Sequence, residues 1–205
     1  MKKIISVLLC MVLLLSLAAC GGNNDADLAT ENKISRGKIS GSTYTNDFIG
    51  IKFKKPITWK FLSDDEMAET LNIGMGSKDL AEVEAILNEN ESVFVMTATD
   101  AKDKNNVAIC FENTMLSLSK KVTADEYADI LTKGLQALKG FTYELISTED
   151  AKLGNQSFKK LIYTVTINDT TFTNAYYIKI IDNYAVCIKF SAYTMEIAEM
   201  EAMFS

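Results

Sequence analysis

Four groupings of side chains in this 205-residue chain could do chemistry. Ser117 stands three residues before Lys120, and a lysine at that spacing can assist deprotonation of a serine hydroxyl. Asp64 with Asp65, and Asp125 with Glu126, are adjacent carboxylates of the kind that divide general acid and base work. Asp100, Asp103, Asn105 and Asn106 offer a cluster of oxygens to a cation. Cys110 and Cys187 can close a disulfide or remain buried thiols. Histidine is absent from the whole sequence. A serine–histidine–acid triad and a cysteine–histidine pair are therefore excluded, and the commonest zinc ligand is missing.

Most of these groupings have a plainer explanation than catalysis. The serine-x-x-lysine pattern of penicillin-recognising enzymes works with companion motifs, and Ser63-Asp64-Asp65 and Thr132-Lys133-Gly134 do not supply them. A polar loop ahead of a helix accounts for Ser117 and Lys120 better. Both acidic pairs fall in first helical turns, where negative charge offsets the helix dipole. The stretch from Asp100 to Asn106 lacks the alternating ligands and sixth-position glycine of an EF-hand and reads as a solvated turn. With Cys20 set aside, two cysteines are too few for a structural zinc site, and the sequence implies no metal and no cofactor. Trp59, Phe61, Tyr176 and Tyr177 are candidate walls of a ligand groove, because aromatics combine contact area with a polar tip. At strand positions such side chains are more often core.

The elements that must position these residues follow from periodicity. Phe48 to Phe53 alternates and predicts a strand; Pro56 breaks it and Trp59 to Leu62 resumes it. Ser63 with Glu66 and Thr123 with Glu126 are capping boxes that open helices. Leu80 to Leu87 forms a further short helix. Ser92 to Ala98 and Val107 to Phe111 are strands across the Asp100 turn. Tyr127, Ile130, Leu131, Leu135 and Leu138 share one face of a long helix that Gly140 stops. Four strands follow, over Phe141 to Ser147, Ser157 to Ile167, Thr171 to Ile181 and Tyr184 to Ala192. Asp182-Asn183 is the tight turn between the last two. Thr194 caps a terminal helix that carries Ile197, Met200, Met203 and Phe204. This order predicts an α+β fold: one antiparallel sheet with helices packed on both faces.

The N-terminus reads as an export signal. Lys2 and Lys3 precede an apolar run from Ile4 to Leu17, which is too short for an ordinary spanning helix. Leu17-Ala18-Ala19-Cys20 then resembles the lipobox of bacterial lipoproteins. That resemblance implies cleavage between Ala19 and Cys20 and a diacylglyceryl group on the Cys20 sulfur, with two acyl chains giving stable attachment. Residues 1–19 are then the signal peptide, 20–38 a lipidated cysteine with a flexible tether, and 39–205 a single globular domain. The expected location is the extracytoplasmic face of the cell membrane.

Residues 20–205 carry 19 basic and 27 acidic side chains, a formal charge of −8. That balance argues against nucleic acid as a partner and against lying flat on anionic lipid by charge. Tyr44-Thr45-Asn46, the Phe48 to Phe53 strand, Pro56 to Trp59 and the capped helix beyond resemble a group of Gram-positive bacterial lipoproteins of uncharacterised function. The element order resembles the PsbP-like sandwich, in which an antiparallel sheet lies between helices. The fold hosts unrelated roles and implies no reaction. The expectation is a non-enzymatic binding or accessory module of the cell envelope, with an envelope protein or a small ligand as partner. A small hydrolase using carboxylates or Ser117 with Lys120 is the rival, and solute capture for a transporter comes third.

Overall fold

β-branched and aromatic residues fill the second half of the chain, and there the long strands form. A computed structural model of the chain describes residues 33–71, 83–102 and 104–205. The strands are β1 Lys38–Ser40, β2 Thr43–Asn46, β3 Ile51–Lys54, β4 Lys60–Phe61, β5 Ser92–Thr99, β6 Asn106–Asn113, β7 Thr142–Leu153, β8 Gln156–Ile167, β9 Thr170–Ile181 and β10 Tyr184–Ala192. The helices are α1 Asp64–Leu71, α2 Val83–Glu89, α3 Thr114–Ser117, α4 Ala124–Gln136 and α5 Ile197–Glu201. Seven strands make one antiparallel sheet in the order β4-β5-β6-β10-β9-β8-β7, and β1-β2-β3 make a second, smaller one. The fold is α+β with an antiparallel sheet.

Both faces of the large sheet's central strands are buried, which is why those strands are apolar on both sides. Strand β10 shows the division. Val186, Ile188 and Phe190 join a core with Phe48, Ile49, Phe53, Trp59, Leu87 and Met200, so the small sheet, α2 and α5 cover that face. Ala185 and Cys187 face the other way, toward Tyr127, Ala128, Leu131 and Leu135 of α4. On the same face, Met67 of α1 packs with Phe94, Ala108 and Cys110. No described helix is long and apolar enough to cross a membrane.

Local chemistry explains the element ends. Ser63 Oγ accepts from Glu66 N at 3.2 Å while the Glu66 carboxylate accepts from Ser63 N at 2.8 Å. Thr123 and Glu126 do the same for α4. Asp182, at φ 55°, makes the two-residue turn from β9 to β10. Three expectations need correction. Phe48 and Ile49 are not in a strand: Asn46 Oδ1 accepts from Ile49 N, Gly50 bends at φ 76°, and the two apolar side chains are buried in the turn before β3. The last helix is opened by Glu196 paired with Glu199, not by Thr194, and runs only to Glu201. The packed chain begins ahead of residue 39: Ile34 is buried, and Arg36 makes a two-pronged ion pair with Asp64 of α1.

Candidate functional site

The face of the large sheet that carries α1 and α4 has a polar seam alongside the apolar patches that pack against the two helices. Strand register sets its members. Thr97 on β5 lies beside Ala108 on β6, Ala108 beside Lys189 on β10, and Lys189 beside Tyr176 on β9. In the next row of the same face Asn106 pairs with Ser191, Ser191 with Asn174, and Asn174 with Tyr163. Because side chains alternate along a strand, β10 puts Lys189 and Ser191 here while Ile188 and Phe190 face the opposite core. Lys189 is 6% exposed, Thr97 3%, and Asn174 and Ser191 0%.

Three of these polar atoms have no hydrogen-bond partner among the described residues: Thr97 Oγ1, Ser191 Oγ and Asn174 Oδ1. Leaving such a group buried and unpaired costs about 1–3 kcal/mol, and folded proteins pair the great majority of them. Ser191 and Asn174 sit directly opposite one another on paired strands, yet neither orphaned oxygen bonds the other. Tyr163 and Tyr143 on this face remain neutral donors. Burial pushes the Tyr163 phenol up to about 12, against a 2.6 Å hydrogen bond with Thr132 Oγ1. Burial raises Tyr143 further, in spite of a hydrogen bond with Tyr176. Two hydroxyls, an amide carbonyl and a buried ammonium together suit a small polar solute that offers both donors and acceptors.

Beside the seam lies Glu112, 7% exposed, two residues along β6 from Cys110. Its Oε1 lies 2.5 Å from Ser117 Oγ and its Oε2 2.5 Å from Tyr127 Oη, which ties α3 and α4 to the sheet. Ser117 Oγ also lies 3.2 Å from the Asn113 carbonyl. Lys120 pairs instead with Glu126, at 3.6 Å. The serine and lysine that share a sequence motif therefore have different partners.

The aromatic groove does not form. Tyr176 and Tyr177 are sequence neighbours in one strand and face opposite cores. Trp59 is buried in the core of the small sheet, and Phe61 packs at its margin with its ring 6.1 Å from Phe53. The four side chains serve packing, and only Tyr176 borders the seam. Asp125 points to Lys159, and Asp64 is held by Arg36. Asp100 spends its carboxylate on the turn, accepting from Lys102 N, Lys104 N and Asn105 N and from the Asn105 amide. Among the described residues no three His, Cys, Asp or Glu side chains gather as a metal site would require. Cys110 and Cys187 are directly opposite on β6 and β10, both 3% exposed, and both are thiols. Ala19, Cys20 and Asp103 lie outside the described residues.

Sequence reasoning missed Thr97, Asn174, Lys189 and Ser191. A signal was present in Cys187-Ile188-Lys189-Phe190-Ser191, where one alternating set is small or polar and the other large and apolar. No protein-family model matches the chain, and no curated protein matches it. Among solved structures it is similar to the cyanobacterial PsbP protein CyanoP from Synechocystis sp. PCC 6803. The TM-score is 0.47 and the identity 15%, over 92% of this chain and 98% of that one. It is also similar to LpqN, involved in cell envelope biogenesis of Mycobacterium tuberculosis, with a TM-score of 0.40 and 12% identity. That match covers 75% of this chain and 77% of the other.

Proposed function

We propose that the chain is a lipoprotein of the cell envelope whose folded domain is a non-enzymatic binding module for a small polar ligand. Lipid on Cys20 attaches it to the extracytoplasmic face of the membrane, and the seam between α1 and α4 receives the ligand. The observation that carries the binding reading is the set of three orphaned oxygens, on Thr97, Ser191 and Asn174, buried on one face beside Lys189. The seam contains hydroxyls, an amide and an ammonium, and Glu112 on the same face of β6 is contacted by two hydroxyl groups. Such a set holds a solute by hydrogen bonds.

Native mass spectrometry of protein purified from its own membranes tests the binding reading. A bound small molecule is expected, and its occupancy falls at least tenfold when Ser191→Ala and Asn174→Leu are combined. Ordered water alone in the seam of a high-resolution crystal, with no mass retained, would overturn the reading. Anchoring has a separate test: labelled palmitate marks the wild type and not Cys20→Ala.

A hydrolase is the second reading, favoured by the contact of Ser117 Oγ with the Glu112 carboxylate. There Glu112 would take the serine proton in place of the missing histidine. Activity profiling separates the two readings, because turnover lost in Ser117→Ala belongs to the hydrolase alone.

A further inference from the structure

The acidic total conceals a division of charge along the chain. Residues 33–62 contain seven basic side chains and one acid, Asp47, whereas residues 63–205 contain 12 basic and 23 acidic ones. The fold gathers part of the basic segment on one surface. In the small sheet Lys38 pairs with Thr45 and Thr45 with Lys52; Ser40 pairs with Thr43 and Thr43 with Lys54. Tyr44, Ile51 and Phe53, on the alternate positions, are buried inward. The outer face is therefore Lys38, Ser40, Thr43, Thr45, Lys52 and Lys54, with all three lysines exposed and no acid among the six. Lys33, Arg36 and Lys60 reach Glu84, Asp64 and Glu66, but Lys38, Lys52 and Lys54 reach no acid among the described residues. Directly after β3 the chain makes a turn at Pro56-Ile57-Thr58, and Ile57 there is 96% exposed.

We propose that this lysine face, together with Ile57 in the turn after β3, is a docking surface for a membrane bearing anionic headgroups. Three ammoniums that pair with no acid among the described residues, on a face of small polar residues, complement a plane of phosphates. Each lysine near such a surface contributes about fivefold in affinity. Ile57, three residues after Lys54 and 96% exposed, suits the headgroup–acyl boundary. Position argues the same way. β1 begins five residues after Lys33, so the small sheet holds the first strands of the fold after the segment that leads back to Cys20. The proposal rests on the lipid-anchor reading, since a tether confines the domain close enough for a weak contact to be populated. It reverses the expectation from net charge, because the membrane meets one face and not the sum.

The test uses the mature, membrane-extracted protein reconstituted in vesicles and labelled with a water-soluble amine reagent, read by peptide mass spectrometry. On vesicles containing phosphatidylglycerol, Lys38, Lys52 and Lys54 should be protected about tenfold relative to pure phosphatidylcholine vesicles. High salt should remove the protection, and the exposed Lys133 and Lys139 on the α4 side should label alike in both. Lys52→Gln with Lys54→Gln should abolish protection of Lys38, and Ile57→Ser should weaken it severalfold while leaving its salt dependence. Equal labelling of the three lysines in both membranes would overturn the proposal, as would protection by a soluble polyanion and not by vesicles. Failure of the anchor reading looks different, because the protein would then not sediment with phosphatidylcholine vesicles at all.

Discussion

Replacing Asn105 by leucine should destabilise the domain by about 3 kcal/mol. Asn105 is 2% exposed and sits at the β5–β6 turn, yet its side chain reaches the other end of the sequence. Its Oδ1 accepts from Tyr193 N at 2.9 Å, Thr194 N at 3.0 Å and Met195 N at 3.3 Å. Its Nδ2 donates to Asp100 Oδ2 at 2.6 Å and Thr194 Oγ1 at 2.7 Å. Each of these is worth about 1 kcal/mol net, and the one to a carboxylate about 1.5–3. Thr194 is exposed and Tyr193 and Met195 half-buried, so water recovers part of the loss and the sum is cut to about half. With a urea slope of about 2 kcal/mol per molar, the midpoint should fall by about 1.5 M. Asn105→Asp keeps the triple acceptor but sets a second carboxylate against Asp100. Its penalty should grow as pH rises above about 4, where both acids ionise. A leucine variant whose urea midpoint moved by less than about 0.5 M would refute the reasoning, because the three backbone donors would then be satisfied without the amide.

Other variants probe other joints. Glu112→Ala should cost about 2–3 kcal/mol by chemical denaturation, since Tyr127 Oη and Ser117 Oγ lose a common buried acceptor. Gly50→Ala should cost about 2 kcal/mol, because φ is 76° and the new Cβ would lie 2.7 Å from Gln156 Nε2. Adding Gln156→Ala should return the steric part and leave the backbone part. The Asp100 carboxyl is pushed up by burial, but hydrogen bonds from Lys104 N, Asn105 and Lys102 N outweigh this and hold it below the ordinary range. Its stabilisation is therefore present above about pH 4 and lost as pH falls through the lowered value, so Asp100→Asn should flatten the acid limb of a stability–pH curve. Native protein should react with a thiol reagent at Cys110 and Cys187 only at the rate of opening, at least 100-fold slower than after denaturation, because both are 3% exposed.

Much of the architecture was legible because it is written locally. The two serine or threonine caps, the amphipathic stripe of α4 and the Asp182-Asn183 turn each depend on residues within a few positions of one another. The small sheet was not separable from the large one, since Phe48 and Ile49 are as apolar as any strand and only the Asn46 side chain and Gly50 make them a turn. The seam was less legible still. Ser191 opposite Asn174 is a matter of hairpin register, but Thr97 beside Ala108 beside Lys189 requires strands far apart in sequence to meet. Adjacent tyrosines at 176 and 177 looked like one aromatic surface because both faces of β9 are buried, which hides the alternation.

The strand order carries one more consequence, for the way the protein comes together in time. Among the described strands, β4-β5-β6 and the β7–β9 meander are joined in one ladder by β10, whose residues 184–192 come late in the chain. Until that strand is available, the first half has no neighbour for the inner edge of β6, and the later hairpins zip up by themselves. Closure of the whole sheet is then a terminal event with a long loop between partners, slow in comparison with the hairpins. A chain halted before Tyr184 lacks the strand that joins the two groups and leaves the facing edges of β6 and β9 open, where unpaired backbone groups invite pairing with another chain.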